Sequence, residues 1–563
     1  MIEKNQSIGK VQSVDTGNVT VKVDDEKILN SVQVNQIIQI RSTKTSEKII
    51  GMVSKILRKA ISEKVDSDSE PESIIENVIR VNLVGTLIEK DGTEKNQFKR
   101  TLNTVPSIDA DCFLLQGKEL SDFMTTISSN TDNPLNIGKF TISEESIANL
   151  DGNKFFQRHA TIVGGTGSGK SWTVATILEK SSNLKSVNGI LFDLHGEYKP
   201  LEKLPNTKLL KIAGPSDDGD TPNTIFLPYW LLSYEEIESL LLDRTDTNAP
   251  NQSRKLFDSI ITNKKAVLTD LKKEAILNNF TVESPVPYDL NNVLKDIEEE
   301  DTRMVPGAVA GKFKQGPLFG KLTRFVQRLK SKQSDKRMNF LFSKDKNLLE
   351  YEYFPKIMNE LLDFGNNKGI KIIDFSEVPS DMLPLITGLI SRLIFSVQQW
   401  MQEDKRHPVA LFCDEAHLYI PANSKNSSEE KGLQSFERIA KEGRKYGISL
   451  VVISQRPSDV NKTILSQCGN FVAMRLANPE DQNVIKRLFP ENLGGFADVL
   501  PILDIGEALI VGDASLLPSR VVVDKPTIKP KSATIDFWDE WSTEKEVTGI
   551  EDAVESLRRQ QKI

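Results

Sequence analysis

The stretch "ATIVGGTGSGKSWTVATIL", residues 160–178, decides the fold of this chain. An apolar run enters a glycine-rich turn, and the residues after the turn have the periodicity of a helix. Within the turn, Gly164, Gly169, Lys170 and Ser171 match the spacing G-x-x-x-x-G-K-[ST]. In this motif, backbone N–H groups surround a phosphate chain and the lysine reaches the outer phosphate oxygens. The succession of strand, turn and helix therefore predicts a phosphate-binding loop.

The predicted ligands of this loop are ATP and Mg²⁺. The positive end of the following helix favours the phosphate charge, and the Ser171 hydroxyl is the magnesium ligand that the motif predicts. The residues predicted to contact the nucleotide are Gly164, Gly165, Thr166, Gly167, Ser168, Gly169, Lys170, Ser171 and Trp172.

Composition limits the class of protein. A chain of 563 residues is long enough for two or three domains, and 38% hydrophobic with 27% charged residues is typical of a globular protein. Because the net charge is −7, any surface that binds nucleic acid must be a local concentration of cations. We find neither a membrane-spanning apolar run nor a secretory leader, so we expect a cytoplasmic protein without a membrane partner. The three cysteines and four histidines are scattered, which argues against a disulfide framework or a histidine metal cluster.

The two ends of the chain differ from its middle. Alternating runs such as "GNVTVKVDD" are typical of strands, and we predict that residues 1–135 form a small β-barrel. The polar, acidic segment 61–77 is interpreted as a long loop inserted in this barrel. Residues 525–563 are interpreted as a tail that ends in a short amphipathic segment.

Seven apolar runs rich in Val, Ile, Leu and Phe follow the barrel. Because strands that are buried on both faces have this composition, the runs predict a parallel α/β sheet. We assign the sheet to residues 136–232 and 366–524, divided by an all-helical insertion over residues 233–365. The predicted fold class is thus α/β, a P-loop domain with a helical insertion, preceded by a small β-barrel.

Polar residues follow two of these predicted strands. Asp414 and Glu415 come directly after "VALFC", and Gln455 follows "GISLVVIS". An aspartate at a strand end can hold the magnesium shell while the adjacent glutamate polarises an attacking water. We predict these two roles for Asp414 and Glu415, and we predict that Gln455 senses the γ-phosphate.

Three arginines are candidates for stabilising charge at the γ-phosphate. Arg438 and Arg444 belong to the cationic helix end "ERIAKEGRKYG", and Arg158 stands just before the first strand of the sheet. One of them can reach a nucleotide across a subunit boundary as an arginine finger. A solvated cationic helix end is the alternative interpretation of Arg438 and Arg444.

The run "FDLHGEYKP" carries a further acidic pair, Asp193 and Glu197, with Tyr198 beside them. The pair follows the second predicted strand of the sheet, at the edge where the nucleotide is expected. We include Glu197 among the nucleotide-binding candidates, with a structural role for the pair as the alternative.

In this order, "GGTGSGKS", "FDLHGEY", "LFCDEAHLYIP", "RIAKEGRKYGISLVVISQRPSDV" and "ALIVGD" resemble the HerA branch of the HerA/FtsK additional-strand, RecA-like P-loop ATPases. The resemblance spans nearly the full chain, because that family also has a small β-barrel and a helical insertion. It implies a ring, commonly a hexamer, with ATP between subunits and double-stranded DNA in the central channel. It also implies a partner nuclease such as NurA, or an effector protein of the anti-phage systems in which some bacterial relatives work.

The resemblance assigns roles to the matching positions of this sequence. These are phosphate and magnesium binding by Lys170 and Ser171, metal and water binding by Asp414 and Glu415, γ-phosphate sensing by Gln455, and a trans arginine at Arg444 or Arg438. Arg158 also matches a basic position in that family.

Two segments are candidates for contact with DNA, since neutralising phosphates supplies most sequence-independent affinity. Residues 303–337 contain ten Lys or Arg and one acidic residue, with a cationic helical face opposite an apolar one. The loop 421–431 offers Lys425 and Lys431 after the predicted metal aspartate. A neighbouring subunit or solvent are the alternative surroundings of these cations.

The leading hypothesis is an ATP-driven ring motor that moves on double-stranded DNA and powers or regulates a partner enzyme in DNA-end processing or anti-phage defence. A secretion or conjugation ATPase is the alternative within the same fold. An ATP-dependent scaffold that assembles a partner, with little translocation, is the alternative from another class.

Overall fold

The computed structural model describes residues 7–15, 17–63, 72–90, 96–102, 104–128, 132–219, 221–308, 311–365, 369–489, 491–532, 535–544 and 548–561. The chain forms two compact units. The first contains residues 1–181, 451–458 and 465–527, and the second contains residues 182–450, 459–464 and 528–563. The chain thus passes from one unit to the other several times.

The first unit begins with a closed β-barrel. Its strands, in spatial order, are Asn18–Lys22, Gly9–Val14, Asp111–Leu114, Ile37–Arg41, Glu47–Glu63 and Glu72–Ile88. Pairing of Asn18–Lys22 with Glu72–Ile88 closes the circle, and Gln97–Lys99 adds to the latter strand. Alternate side chains, including Val21, Ile40, Ile49 and Val81, are buried in one core, as expected for small barrels filled by side chains. The predicted barrel is therefore confirmed.

The prediction of a loop over residues 61–77 is wrong for residues 61–63 and 72–77. These residues lie in Glu47–Glu63 and Glu72–Ile88, which pair in antiparallel register as far as Glu63 opposite Glu72. Backbone hydrogen bonds hold such a ladder together whatever the polarity of the side chains, so an acidic composition does not exclude a strand. The rest of the predicted loop, residues 64–71, lies outside the described residues.

A sheet forms the other part of the first unit. Strand Ala160–Val163 lies between the parallel strands Ile448–Ser454 and Asn470–Met474. Glu507–Gly512 is antiparallel to Asn470–Met474, and Ser519–Val523 and the hairpin Leu135–Phe140 and Ser143–Leu150 continue the antiparallel side. The expectation of a wholly parallel sheet is thus wrong beyond Met474, because short connections allow antiparallel neighbours. Helices Glu26–Ser31, Gly117–Ile127, Gly152–Gln157, Lys170–Ser182, Lys462–Gln467 and Pro479–Leu488 accompany this unit's strands.

The second unit contains a parallel sheet. Its strands, in spatial order, are Thr224–Ile225, Thr207–Ile212, Ile370–Asp374, Gly189–Asp193 and Val409–Cys413. The last three of these strands are almost wholly buried, which explains their continuous apolar composition. Thr207–Ile212 and Thr224–Ile225 were not predicted, since lysines and threonines interrupt their apolar pattern.

The predicted insertion is mainly helical, with helices Tyr234–Leu241, Ala249–Asp270, Glu274–Leu277, Leu290–Thr302, Thr323–Ser334, Asn339–Phe342 and Tyr353–Leu362. The expectation of an all-helical segment is wrong at one place. Met304–Pro306 and Phe313–Gln315 form a two-stranded hairpin, which glycine and proline between helices allow. Helix Ser427–Glu442 also belongs to the second unit.

One helix among the described residues is long and apolar enough to cross a membrane by length and composition. It covers Ser380–Trp400, and 72% of its most apolar window is buried inside the protein. Its regular part, Leu383–Trp400, packs against helix Ser427–Glu442, where Gly388 and Gly432 approach so closely that a Cβ on Gly388 would lie 2.4 Å from the Cα of Gly432. Burial to this extent is typical of a helix in a protein core.

The tail contains two short helices, Phe537–Ser542 and Ile550–Arg559. The predicted apolar face of the second helix is confirmed, and Ile550, Val554 and Leu557 on it are exposed. The tail contacts its own unit before and after these helices. The Lys531 N–H donates to the Glu197 carbonyl at 2.7 Å, and the Ser216 N–H donates to the Gln561 side chain at 2.8 Å.

Candidate active site

The phosphate loop lies in the first unit, between a buried strand and a helix. Ala160–Val163 leads into the loop and helix Lys170–Ser182 begins at the lysine of the motif. The Gly164 N–H donates to the Ser454 carbonyl at 3.3 Å, and the Gly165 N–H donates to the Arg475 carbonyl at 2.8 Å. The neighbouring parallel strands therefore hold the loop from both sides, as the motif requires of a rigid cradle.

The loop residues fit a nucleotide phosphate chain. Gly167 and Gly169 have φ angles of 73° and 103°, which side chains other than glycine rarely adopt. The buried Ser168 hydroxyl makes no hydrogen bond among the described residues. Lys170 is only 5% exposed and begins the helix that follows the loop, the position from which the motif lysine reaches the phosphates. Trp172, which follows Ser171 in the helix, is half-buried.

Gln455 contacts this loop directly. It follows the last residue of strand Ile448–Ser454, and its side-chain carbonyl accepts a 2.8 Å hydrogen bond from the Thr166 hydroxyl. The structure therefore brings the predicted sensor to the exposed tip of the phosphate loop. Its response to the γ-phosphate remains a prediction.

The acidic pair lies in the second unit, at the carboxyl end of strand Val409–Cys413. Asp414 and Glu415 are 2% and 5% exposed. Glu415 has a left-handed backbone conformation, with φ 44° and ψ 44°, which costs a residue with a Cβ roughly 1–2 kcal/mol. A non-glycine residue held in this conformation is typical of a functional position. A carboxylate and a hydroxyl are donors that Mg²⁺ prefers, so Asp414 and Ser171 have the right chemistry for the predicted metal roles.

The sequence interpretation missed His417, which comes two residues after Glu415. Its Nδ1 lies 3.4 Å from the Glu415 Oε2. The chain turns back here because Ala416–Leu418 form a helical turn, in which the Leu418 N–H donates to the Glu415 carbonyl at 2.9 Å. The contact restricts the directions of the Glu415 carboxylate. The only signal in the sequence is the histidine within "DEAH".

Asp193 has a structural role. Its carboxylate accepts hydrogen bonds from the Glu197 N–H at 3.0 Å and the Tyr198 N–H at 2.9 Å, and these bonds close the turn after strand Gly189–Asp193. Burial raises the pKa of Asp193 to about 6, and the nearby Asp374 adds to the rise, although the two N–H donors oppose it. Tyr198 is buried in the same turn. The alternative interpretation of this pair is therefore correct for Asp193, whereas a nucleotide role for Glu197 remains a prediction.

The structure distinguishes the two arginines of the cationic helix end. The Arg438 guanidinium lies 4.3 Å from the centroid of the Phe395 ring and donates to the Gln399 side chain at 3.1 Å. It thereby joins its helix to Leu383–Trp400. The Arg444 side chain is exposed and makes no hydrogen bond or ion pair with any described residue. Of the two, Arg444 is the one available for contact with another molecule.

Arg158 lies at the amino end of strand Ala160–Val163, whereas the phosphate loop follows the carboxyl end. The Cα atoms at the two ends of a four-residue strand are about 10 Å apart. The Arg158 side chain is half-exposed, and its Nε lies 3.4 Å from the Asp513 Oδ2. The structure therefore does not bring Arg158 to the phosphate loop of its own chain, and a role in a neighbouring subunit remains a prediction.

The two basic segments are partly neutralised by acidic residues of the second unit. Helix Thr323–Ser334 buries Phe325 and Leu329 as predicted, but Arg328 forms an ion pair with Asp243 at 3.1 Å. Lys330 pairs with Glu298. The prediction of a loop over residues 421–431 is wrong from residue 427, because helix Ser427–Glu442 begins there after its N-cap Asn426. Lys431 lies on this helix and pairs with Glu235. Lys321, Arg324 and Lys425 are exposed. Contact of these segments with DNA remains a prediction.

Two family models match this chain. The model described as "Helicase HerA, central domain" matches residues 135–394, which include the phosphate loop and the Asp193 turn. The model described as "Helicase HerA-like C-terminal" matches residues 388–553, which include the acidic pair and Gln455. This chain belongs to the HerA family. It is therefore a nucleotide-binding P-loop ATPase, and its fold class is the one that the sequence predicted.

Curated relatives of this HerA-family ATPase are archaeal. It is 27% identical over 396 residues to a probable helicase of Methanocaldococcus jannaschii, covering 69% of this chain and 67% of that protein. It is 27% identical over 409 residues to the DNA double-strand break repair helicase HerA of Sulfolobus acidocaldarius, covering 69% of each. With the protein of the same name from Pyrococcus furiosus, it shares 24% identity over 439 residues, 72% of this chain and 71% of that one.

Among solved structures, VirB4 of Thermoanaerobacter pseudethanolicus resembles this chain at a TM-score of 0.45 and 16% identity, over 70% of this chain and 98% of VirB4.

The Asp193 pKa predicts a pH-dependent difference between the wild type and Asp193→Asn. Because the folded-state pKa is raised from about 3.8 to about 6, the contribution of Asp193 to stability is fully present below the unfolded value and is lost as pH rises through about 6. Asparagine does not titrate. The free energy of unfolding of the wild type, minus that of the variant, should therefore fall between about pH 3.8 and about pH 6 in denaturant titrations, and should be constant at higher pH. A difference in unfolding free energy that does not change with pH would contradict the raised pKa of Asp193.

Proposed function

We propose that this chain is an ATP-driven motor that translocates on double-stranded DNA as a homo-oligomeric ring, with six subunits as the expected number. The observation that supports it best is the burial of the predicted hydrolysis residues at the phosphate loop and at a strand end of a HerA-family chain. Lys170 is buried at the phosphate loop, and Asp414 and Glu415 are buried at a strand end. Glu415 is held next to Asp414 in a left-handed backbone conformation, which favours a role in hydrolysis over a role in assembly alone.

The residues have separate roles in hydrolysis. Lys170 and the loop N–H groups hold the phosphate chain, and Glu415 orients and polarises the attacking water with its carboxylate directed by His417. The Ser171 hydroxyl and the Asp414 carboxylate would hold Mg²⁺, which would neutralise phosphate charge. Gln455 responds to the γ-phosphate through its contact with Thr166. The Arg444 guanidinium stabilises charge on a nucleotide held by a neighbouring subunit.

We infer that the motor moves along DNA because two of the relatives are named for DNA double-strand break repair. A ring that surrounds a duplex needs cationic side chains that face the DNA phosphates. The exposed side chains of Lys425, Lys321 and Arg324 are the cations that we propose for this role. The motor powers or regulates a partner nuclease or another effector, in DNA-end processing or in anti-phage defence.

The proposal is tested by ATP hydrolysis with and without linear double-stranded DNA, together with the mass of the protein in solution. We expect DNA to stimulate hydrolysis by a species of about six subunits, since electrostatic contact with phosphates couples the track to the motor. Raising the salt concentration should weaken the stimulation. Hydrolysis by a ring that is indifferent to DNA at low salt would instead indicate a protein-moving ATPase or an assembly scaffold.

Two substitutions separate nucleotide binding from hydrolysis. Lys170→Ala should lose ATP affinity, because it removes the buried charge that binds the phosphates. Glu415→Gln should bind ATP as the wild type does and lose hydrolysis by a factor on the order of 100 or more, because it keeps the shape of the side chain but not its carboxylate. Equilibrium binding and single-turnover hydrolysis measure the two effects. Normal hydrolysis by Glu415→Gln would show that the water-activating residue lies elsewhere.

Subunit mixing tests the trans role of Arg444. Arg444→Ala and Lys170→Ala should each be inactive alone, and their mixture should regain part of the ATPase activity, because some interfaces then combine an intact loop with an intact arginine. Lys445→Ala, which removes a neighbouring exposed cation, is the matched control and should remain active alone. If the mixture stays inactive although mixed rings form, Arg444 does not act across the interface.

A further inference from the structure

A turn next to the phosphate loop exposes two large apolar side chains. Ile502 and Ile505 are 71% and 70% exposed, and they are the two most exposed large apolar side chains among the described residues of the first unit. Between them, Leu503 is 1% exposed and fixes the turn to the core. Exposed apolar side chains on an ordered segment are typical of a binding surface.

The turn is rigid. The Glu507 N–H donates to the Asp504 carbonyl at 3.1 Å, and the Asp504 N–H donates to the Glu507 carboxylate at 2.9 Å. That carboxylate also accepts from the Arg520 Nε at 3.2 Å. Gly506 has a φ of 84°, which favours glycine at this position. The exposure of the two isoleucines is therefore a property of a fixed turn.

The turn is joined to the phosphate loop through the backbone. The Gly506 N–H donates to the Ser168 carbonyl at 3.0 Å. The two segments are so close that a Cβ on Gly169 would lie 3.2 Å from the Gly506 nitrogen. Ile505 is the residue before Gly506, so its Cα is about 3.8 Å from that of Gly506. An apolar surface thus lies directly beside the residues that hold the phosphates.

We propose that Ile502 and Ile505 form the platform on which the purine base of the bound nucleotide rests. The proposal depends on the phosphate role of Lys170 and its loop. A nucleotide whose phosphates lie on this loop places its nucleoside on a surface that adjoins the loop. The turn with Ile502 and Ile505 is an apolar surface in that position, and a purine is flat and weakly hydrated. Isoleucine contacts such a ring by apolar burial alone, without hydrogen bonds. The phosphates then provide the charge recognition and the turn provides the contact with the base.

The test compares ATP with tripolyphosphate, which has the phosphates and lacks the nucleoside. Both ligands are titrated calorimetrically into Glu415→Gln protein, with and without the double change Ile502→Ser and Ile505→Ser. We expect the dissociation constant for ATP to rise at least about tenfold, since two apolar contacts are lost, and that for tripolyphosphate to stay the same. Ile147→Ser, which changes an exposed isoleucine on the strand Ser143–Leu150 of the same unit, is the matched control and should change neither constant.

Three results would overturn the platform. An unchanged ATP affinity means that the base rests elsewhere, and an equal loss for ATP and tripolyphosphate means that the substitutions disturbed the phosphate loop. A changed mass of the nucleotide-free protein means that the two isoleucines belong to a contact between copies of this chain. If the parent protein binds neither ligand, the phosphate role of Lys170 has failed first, and this outcome differs from the other three.

Discussion

The phosphate loop depends on backbone hydrogen bonds from three sides. Gly164 and Gly165 donate to carbonyls of Ser454 and Arg475, and the Ser168 carbonyl accepts from Gly506. Glycine is required where the chain turns with positive φ or where a neighbouring segment leaves no room for a Cβ. Because the loop is held in this way, it is formed before any nucleotide arrives, and the binding energy of the phosphates is not spent on ordering it.

Seven strands of the sheets were predictable because their apolar runs are continuous. All seven runs form strands, since a strand covered on both faces tolerates few polar residues. The direction of Glu507–Gly512 was not predictable in this way, because its composition is the same in a parallel or an antiparallel position. The ends of the two paired strands, around residues 63 and 72, were not predicted, because their polar composition is typical of a loop. Their strand conformation is evident only from the backbone pairing in the folded chain.

Candidate site residues were predictable where a motif defines the backbone. The structure places Lys170 at the start of a helix, Asp414 and Glu415 at a strand end, and Gln455 against Thr166. Side-chain partners depend on packing that spacing does not show. Asp193 closes a turn, Arg438 packs on Phe395, and His417 contacts Glu415. Each contact comes from a turn or a helix pair whose geometry requires the folded chain, and the assigned roles of these residues remain proposals.

The most direct test of the central claim, ATP-driven movement along a duplex, is displacement of a third strand from the end of a linear triplex. The wild type should release the third strand in the presence of ATP, at a rate that increases with ATP concentration, because a motor that follows the duplex must remove what lies in its way. Glu415→Gln should bind the DNA and leave the third strand in place. Rapid, DNA-stimulated ATP hydrolysis by the wild type without any displacement would contradict the account.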